Sequence, residues 1–277
     1  MKGGDGSAEK KGKGSGGRAG RRVISDADRQ YGRLTVFRRK VDRALDLIAG
    51  AARPLGVAVS GGKDSTVVLH LVRRVYPDAV AGFFHSGAEL QDTLDWIEAT
   101  PNVQTIPAGG GGLIELCKAN GYWGHTPESD HPQVVDFGEA LIYQPATAFI
   151  RRNRLATVAL GLRAGESGGR RMSAQVRGTR YDVGYMSERV GWNVQHLCPI
   201  QWWTEDDVWA YIAVHDLTYN AAYDKMAAMG MTRKEQRIST LLGTDAAAYG
   251  RYVFLKRLDL ELWNRLVAEF PLLLKYV

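Results

Sequence analysis

Residues 57–65 read VAVSGGKDS: a short apolar run, then Ser60, Gly61, Gly62, Lys63, Asp64 and Ser65. The run from Leu55 to Val59 ahead of the glycines marks a buried strand, and Thr66 to Val75 reads as a helix that begins at the loop. Glycines let a backbone approach an anion closely, and the helix that follows aims free N–H groups and its positive dipole end at it. Lys63 adds a point charge, and the hydroxyls of Ser60 and Ser65 add donors. Asp64 would be repelled by a phosphate unless it caps the helix or holds Mg²⁺. A glycine-rich turn that merely joins a strand to a helix gains nothing from such a lysine and two hydroxyls.

The cradle differs from the common ones. A Walker A loop needs a glycine five residues before Gly62 and a Ser or Thr after Lys63; Val57 and Asp64 stand there instead. The G-x-G-x-x-G turn of dinucleotide-binding proteins is also missing.

Working outward, Ala79 to His85 is a second buried strand, Glu89 to Ala99 a helix, Val103 to Ile106 a third strand and Ala156 to Leu162 a further one. Strands that are apolar throughout and alternate with helices predict an α/β fold with a doubly wound, mainly parallel sheet covered on both faces. Asp26 to Ala51 is expected to be one helix, Leu113 to Asn120 and Phe137 to Arg154 are also helical, and 121–137 reads as an ordered loop. The polar, arginine-rich stretch from Arg163 to Arg189 reads as loop, and His196 to Ile200 returns to the sheet. Thr204-Glu-Asp-Asp207 opens a helix through Val214 with a capping box. The remainder is helical, with amphipathic stretches at 232–242 and 259–270. The tryptophans near 202–209 read as core. This divides the chain into a basic tail (1–24), a nucleotide-binding domain (25–225) and a helical C-terminal extension (226–277).

Composition narrows the function classes. Residues 1–24 carry seven Lys or Arg against Asp5 and Glu9, so five of the chain's six net positive charges sit in the tail. The first twenty residues hold eight glycines and almost nothing able to pack, which predicts disorder. Such a tail can neutralise nucleic-acid phosphates or simply solubilise. Two cysteines, Cys117 and Cys198, make neither a disulfide framework nor a thiolate cage, and the six histidines show no metal spacing. No protein-built metal site is expected. No apolar run is long enough to span a membrane and no secretory signal opens the chain, so a cytoplasmic protein without membrane partners is expected.

SGGKDS directly after a first parallel strand resembles the PP-loop of the ATP pyrophosphatases, which split ATP between its α- and β-phosphates. His85-Ser86-Gly87-Ala88-Glu89 is similar to the turn after strand two in the phosphoadenosine phosphosulfate (PAPS) reductase branch. There it helps to hold adenosine, although acidic and threonine residues are more usual at the positions of His85 and Ser86. Glu89 either contacts ligand or simply begins a helix. Gly161-Leu162-Arg163-Ala164-Gly165-Glu166-Ser167-Gly168-Gly169-Arg170-Arg171 resembles the G-x-R-x-x-E-S-x-x-R segment of PAPS reductases and of the small subunit of ATP sulfurylase. Cys198-Pro199-Ile200-Gln201-Trp202-Trp203-Thr204 and the helix after it match the family's next landmark. The resemblance spans about residues 55–225 and implies an adenine nucleotide α-hydrolase-like fold.

It also implies a site. Nucleotide contacts fall on Ser60, Gly61, Gly62, Lys63, Asp64, Ser65, His85, Gly87, Gly161, Arg163, Glu166, Ser167 and Arg171. Lys63, Arg163 and Arg170 carry the catalytic charge, and Glu166 orients Arg163 or Arg170. True PAPS reductases use a C-terminal E-C-G-x-H cysteine, and adenylyl-sulfate reductases hold an iron–sulfur cluster on cysteine pairs; this sequence has neither. The resemblance therefore points to ATP with Mg²⁺, no iron–sulfur cluster, and adenylyl transfer to an anionic acceptor such as sulfate or nucleic acid. A sulfur donor or partner subunit would complete the pathway. A thiol-dependent reductase, or a nucleotide-binding subunit without turnover, are the alternatives.

Overall fold

The computed structural model describes residues 23–121, 136–238 and 251–277. Its first half runs α1 (Asp26–Gly32), α2 (Thr35–Ala49), β1 (Leu55–Val59), α3 (Lys63–Val75), β2 (Ala81–His85), α4 (Gln91–Ala99), β3 (Val103–Pro107) and α5 (Leu113–Ala119). After a π-helical turn come α6 (Gln144–Asn153), β4 (Thr157–Leu160), α7 (Gly168–Arg177), β5 (Arg180–Asp182), α8 (Gly184–Val190) and β6 (Gln195–Leu197). Helices α9 (Glu205–Val214), α10 (Ala222–Ala228), α11 (Arg251–Leu258) and α12 (Leu260–Glu269) complete it.

The six strands form one sheet in the order β3-β2-β1-β4-β6-β5, parallel except for β5, which pairs antiparallel with β6 at the edge. This is the doubly wound α/β fold expected from the uniformly apolar strands. The alternation of side chains along a strand splits the core between the two faces. Val57 and Val59 join α3, α9 and the C-terminal helices in the larger cluster, which takes in Val68, Trp209, Tyr252 and Phe270. Ala58 and Val158 face the smaller cluster around Phe149, Ile150 and Met186. Helices α11 and α12 thus bury Leu255, Trp263 and Leu266 in the same core as β1.

Three local expectations change. The helix expected over 26–51 is two. Ser25 caps α1 in a box with Asp28, α1 ends at Arg33, and Gly32 lies against Val214 of α9, so the chain turns before α2. The stretch 163–189 is not loop. It holds a 3₁₀ turn at Ala164–Glu166, then α7, β5 and α8. Ser167 caps α7, its hydroxyl accepting the Arg170 N–H at 3.1 Å. Helix α7 buries only Ala174 and is polar overall, so its composition reads as loop. Finally, 232–238 is turn and bend rather than amphipathic helix; Thr232 is bonded by the Glu235 carboxylate and Gln236 by the Met231 carbonyl. Residues 1–22 of the expected tail (1–24), 122–135 of the expected loop (121–137) and 239–250 lie outside the described residues. Among the described residues no helix is long and apolar enough to cross a membrane.

Candidate active site

Strand order reverses between β1, which continues to β2, and β4, which leads to β6. The carboxyl ends of strands at such a switch point frame a crevice. Here a cavity of about 900 Å³ opens over them. Its floor includes Ala58, Phe84 and Leu160, and its walls carry Ser60, Gly62 to Ser65, Gly161 and Arg163.

The loop after β1 closes on itself. The Ser60 N–H donates to Ser65 Oγ at 3.2 Å, and Ser65 Oγ donates to the Gly62 carbonyl at 2.9 Å. Thr66 Oγ1 donates to the same carbonyl at 3.0 Å. The Ser65 hydroxyl therefore shapes the loop, leaving Ser60, which is exposed, as the hydroxyl at the cavity. Gly61 turns with φ +69°, in the left-handed region that side chains disfavour. Gly161 stands so close to the loop that a Cβ there would lie 2.7 Å from the Ser65 nitrogen.

Lys63 opens α3 and is only 6% exposed, as is Arg163 at the end of β4. Asp64 joins them: its Oδ2 is 3.2 Å from Lys63 Nζ, and its Oδ1 accepts from Arg163 Nε. Asp64 is neither helix cap nor free carboxylate but the anion that holds two buried cations in place. Glu205, first residue of α9, lies 3.4 Å from Lys63 Nζ. Tyr223 of α10 accepts the Lys63 N–H at 3.1 Å, and its ring centroid is 5.7 Å from Nζ. Burial, above all, pushes the Tyr223 phenol well up, so it stays protonated.

Glu166 divides its role. Its carboxylate accepts the Arg163 backbone N–H at 3.1 Å and pairs with the Arg170 guanidinium, so it orients Arg170 by charge and Arg163 only through the backbone. Burial and then the neighbouring Arg237 lower the Arg170 pKa. Arg170 and Arg171 both line the cavity; Gly61 and Ser167 shape its walls from behind, as turn and helix cap. His85 and Gly87 stand at the end of β2 outside the lining. There Glu89 binds both, at 3.2 Å from His85 Nε2 and 3.1 Å from the Gly87 nitrogen. Glu89 thus braces its own loop, and β2 contributes Phe84 to the floor instead.

Several lining residues carried no functional signal in the sequence. Glu205 falls within the expected helix start, Lys234 and Arg237 within the expected helix over 232–242, and Tyr223 stands in no motif. Trp202 corrects the reading of the tryptophans as core. Trp203 and Trp209 are buried, whereas Trp202 is 56% exposed and lines the cavity. Neither cysteine lines it. Burial pushes the Cys198 thiol up to about 11 and the Cys117 thiol to about 12.

Among the described residues no group of three or more His, Cys, Asp or Glu side chains is placed to hold a metal ion. Both oxygens of Asp64 are already bound by cations. The expected Mg²⁺ has no protein cage here; it would come with the phosphates of a nucleotide, as Mg²⁺ commonly does.

The family model of the phosphoadenosine phosphosulfate reductase domain matches residues 54–230, more than half of the chain. An adenosine 5'-phosphosulfate reductase of Staphylococcus haemolyticus is 28% identical over 199 residues, 66% of this chain and 72% of that protein. One from Geobacillus thermodenitrificans is 28% identical over 193 residues, 66% and 74% of the two. Among solved structures, the phosphate complex of phosphoadenylyl-sulfate reductase from Candida auris aligns with a TM-score of 0.49 at 14% identity, covering 76% of this chain and 94% of that one.

Proposed function

As the chain belongs to the phosphoadenosine phosphosulfate reductase family, we propose that its cleft binds ATP, splits it at the α-phosphate and passes the adenylyl group to an anionic acceptor in sulfur metabolism. The observation that carries this reading is the charge of the cleft: six cationic side chains face it against three carboxylates. Two of those cations, Lys63 and Arg163, are buried and locked by Asp64 where β1 and β4 meet.

In this reading the base lies on the apolar floor of Phe84 and Leu160, and the β- and γ-phosphates lie over the loop of 60–65. An acceptor oxygen attacks the α-phosphorus, the bond to the bridging oxygen breaks, and the electron pair leaves on pyrophosphate. Lys63 and the N-terminus of α3 stabilise that leaving charge, while Arg163 and Arg170 face the charge at the α-phosphate and acceptor. Catalysis of this kind rests on positioning and electrostatics rather than on a protein nucleophile.

The names of the relatives favour a second reading, reduction of adenylylated sulfate. That chemistry needs a thiolate, and the two thiols in residues 1–277 are buried, outside the cleft's lining, and protonated at neutral pH. A reductant thiol would have to come from elsewhere.

Pyrophosphate release from ATP with Mg²⁺ and candidate acceptors separates the two, set against sulfite release from adenylyl sulfate and PAPS with thioredoxin. The expected result is acceptor-dependent pyrophosphate that falls about 10²–10³-fold in Lys63→Ala, the scale of losing one preorganised charge donor. It should persist in Cys198→Ser and Cys117→Ser. Sulfite production without pyrophosphate release overturns the proposal.

A further inference from the structure

The floor and loop account for one nucleotide, yet the cavity continues. At about 900 Å³ it lies near the top of the range for small-molecule sites, roughly 300–1,000 Å³. Its lining includes Gln201 to Glu205, the turn that leaves β6. In the sheet order β2-β1-β4-β6, the turn that leaves β6 stands two strands from the β1 loop, about 10 Å across. That turn is fixed to the β4 segment, since the Gln201 carbonyl accepts the Ala164 N–H at 2.8 Å. It projects Trp202, a large aromatic left 56% exposed inside a cleft while its neighbour Trp203 is buried.

The lining that holds this indole also holds Glu205, whose carboxylate is 3.4 Å from Lys63 Nζ, and three further cations. Arg171 of α7 and Lys234 and Arg237 of the 231–238 segment are exposed cations lining the same cavity. None of them has an ion-pair partner among the described residues. Among the described residues Arg237 donates to the Glu166 backbone carbonyl, at 3.5 Å. The nearest acid in their segment, Glu235, is turned onto the Thr232 N–H and hydroxyl, both at 2.7 Å. Unneutralised cations and an open aromatic face lining one cleft are the two halves of a single-strand nucleic-acid site: phosphates on the cations, a base stacked on the ring. Bare sulfate would use the cations and leave the indole without a role.

We propose that Trp202, Arg171, Lys234 and Arg237 form a second subsite that binds single-stranded nucleic acid, stacking one base on Trp202. That this strand is the adenylyl acceptor rests on the transfer reading above; the subsite itself rests only on the cleft's geometry.

The test uses the full chain and fluorescence anisotropy of a labelled single-stranded oligonucleotide of about a dozen residues, with a duplex of equal length and AMP as comparisons. ATP binding is measured separately. Trp202→Ala should weaken single-strand binding roughly five- to hundredfold, the effect of losing one stacked base, and Trp202→Phe should restore most of it. The double variant Lys234→Ala/Arg237→Ala should make the slope of log affinity against log salt shallower by about 1.4, roughly 0.7 for each lost contact. Circular dichroism checks that the variants stay folded. The basic tail is common to all of them and cancels. Unchanged single-strand affinity in Trp202→Ala overturns the subsite, as does equal affinity for duplex, or a Trp202 effect seen only with AMP. Trp202-dependent strand binding without any ATP binding would instead leave the subsite standing and remove the transfer reading.

Discussion

Gly161 sits where β4 comes beside the loop after β1. A methyl group at this position would stand 2.7 Å from the Ser65 nitrogen and 2.8 Å from the Asp64 carbonyl carbon. Both are backbone atoms, so relief requires the loop itself to move, and with it Lys63 and Asp64. Overpacking of this kind costs about 1–3 kcal/mol. Gly161→Ala should therefore weaken ATP binding at least about fivefold by titration calorimetry. Gly169→Ala is the control, since a Cβ there meets nothing within 4 Å. Equal affinities for the two would show that the loop's position does not set binding. The same closeness explains Asp64, whose sign looks wrong beside a phosphate until Arg163 and Lys63 are seen on its two oxygens.

At the scale of the element, α9 shows local and distant contacts meeting in one residue. Thr204 and Asp207 cap each other, with the Thr204 N–H donating to Asp207 Oδ2 at 2.7 Å. The fold then adds Lys40 at 2.8 Å and the Tyr31 hydroxyl at 2.7 Å to the same fully buried carboxylate. Burial pushes the Asp207 carboxyl up, but Lys40, the Thr204 amide and Tyr31 outweigh it and hold it below its ordinary value. A depressed carboxylate stabilises the fold fully above the unfolded pKa of about 4, and that contribution is lost as the pH falls through the folded value. Asp207→Asn should lower the melting temperature at pH 7 and give a flatter loss of stability below about pH 4 than the wild type. Parallel acid limbs for the two proteins would refute the assignment. The capping half of this arrangement is visible in four consecutive residues. Helix α7 is the opposite case: glycines, arginines, exposed Met172 and Val176 and a single buried alanine give it the composition of a loop.

Across the whole molecule, the first described residues and the 231–238 segment are tied together. Arg233 donates to both Asp28 oxygens, at 2.9 and 2.5 Å, and to the Val23 carbonyl at 2.7 Å. The Val23 N–H in turn donates to Asp224 at 2.8 Å. This clamp holds the start of the fold against the 231–238 segment that walls the cleft. Removing Arg233 would leave the buried Asp28 carboxylate without its cation, at a cost of about 3–5 kcal/mol. Arg233→Ala should accordingly be destabilised by that order in urea. Its amide exchange should quicken together at 23–28 and 231–238, with the central strands β1 and β4 changing only as much as global stability does. Faster exchange at one of the two segments alone would mean that they are not coupled.

The parallel strands, the glycine loop, the capped start of α9 and the α/β class are legible in the residues because each depends on neighbours a few positions away: an apolar run, a glycine pair, a Thr-x-x-Asp spacing. The family segments around Arg163 and Ser60 are legible for the same reason. What the residues do not state is which charges meet. Arg163 and Asp64 are 99 positions apart and come together because β4 is laid beside β1. Glu205, Tyr223, Lys234 and Arg237 reach the cleft only because α9, α10 and the segment after them pack over the same sheet edge. Local propensity sets the elements; strand order and packing set the distances, and electrostatic function follows distance.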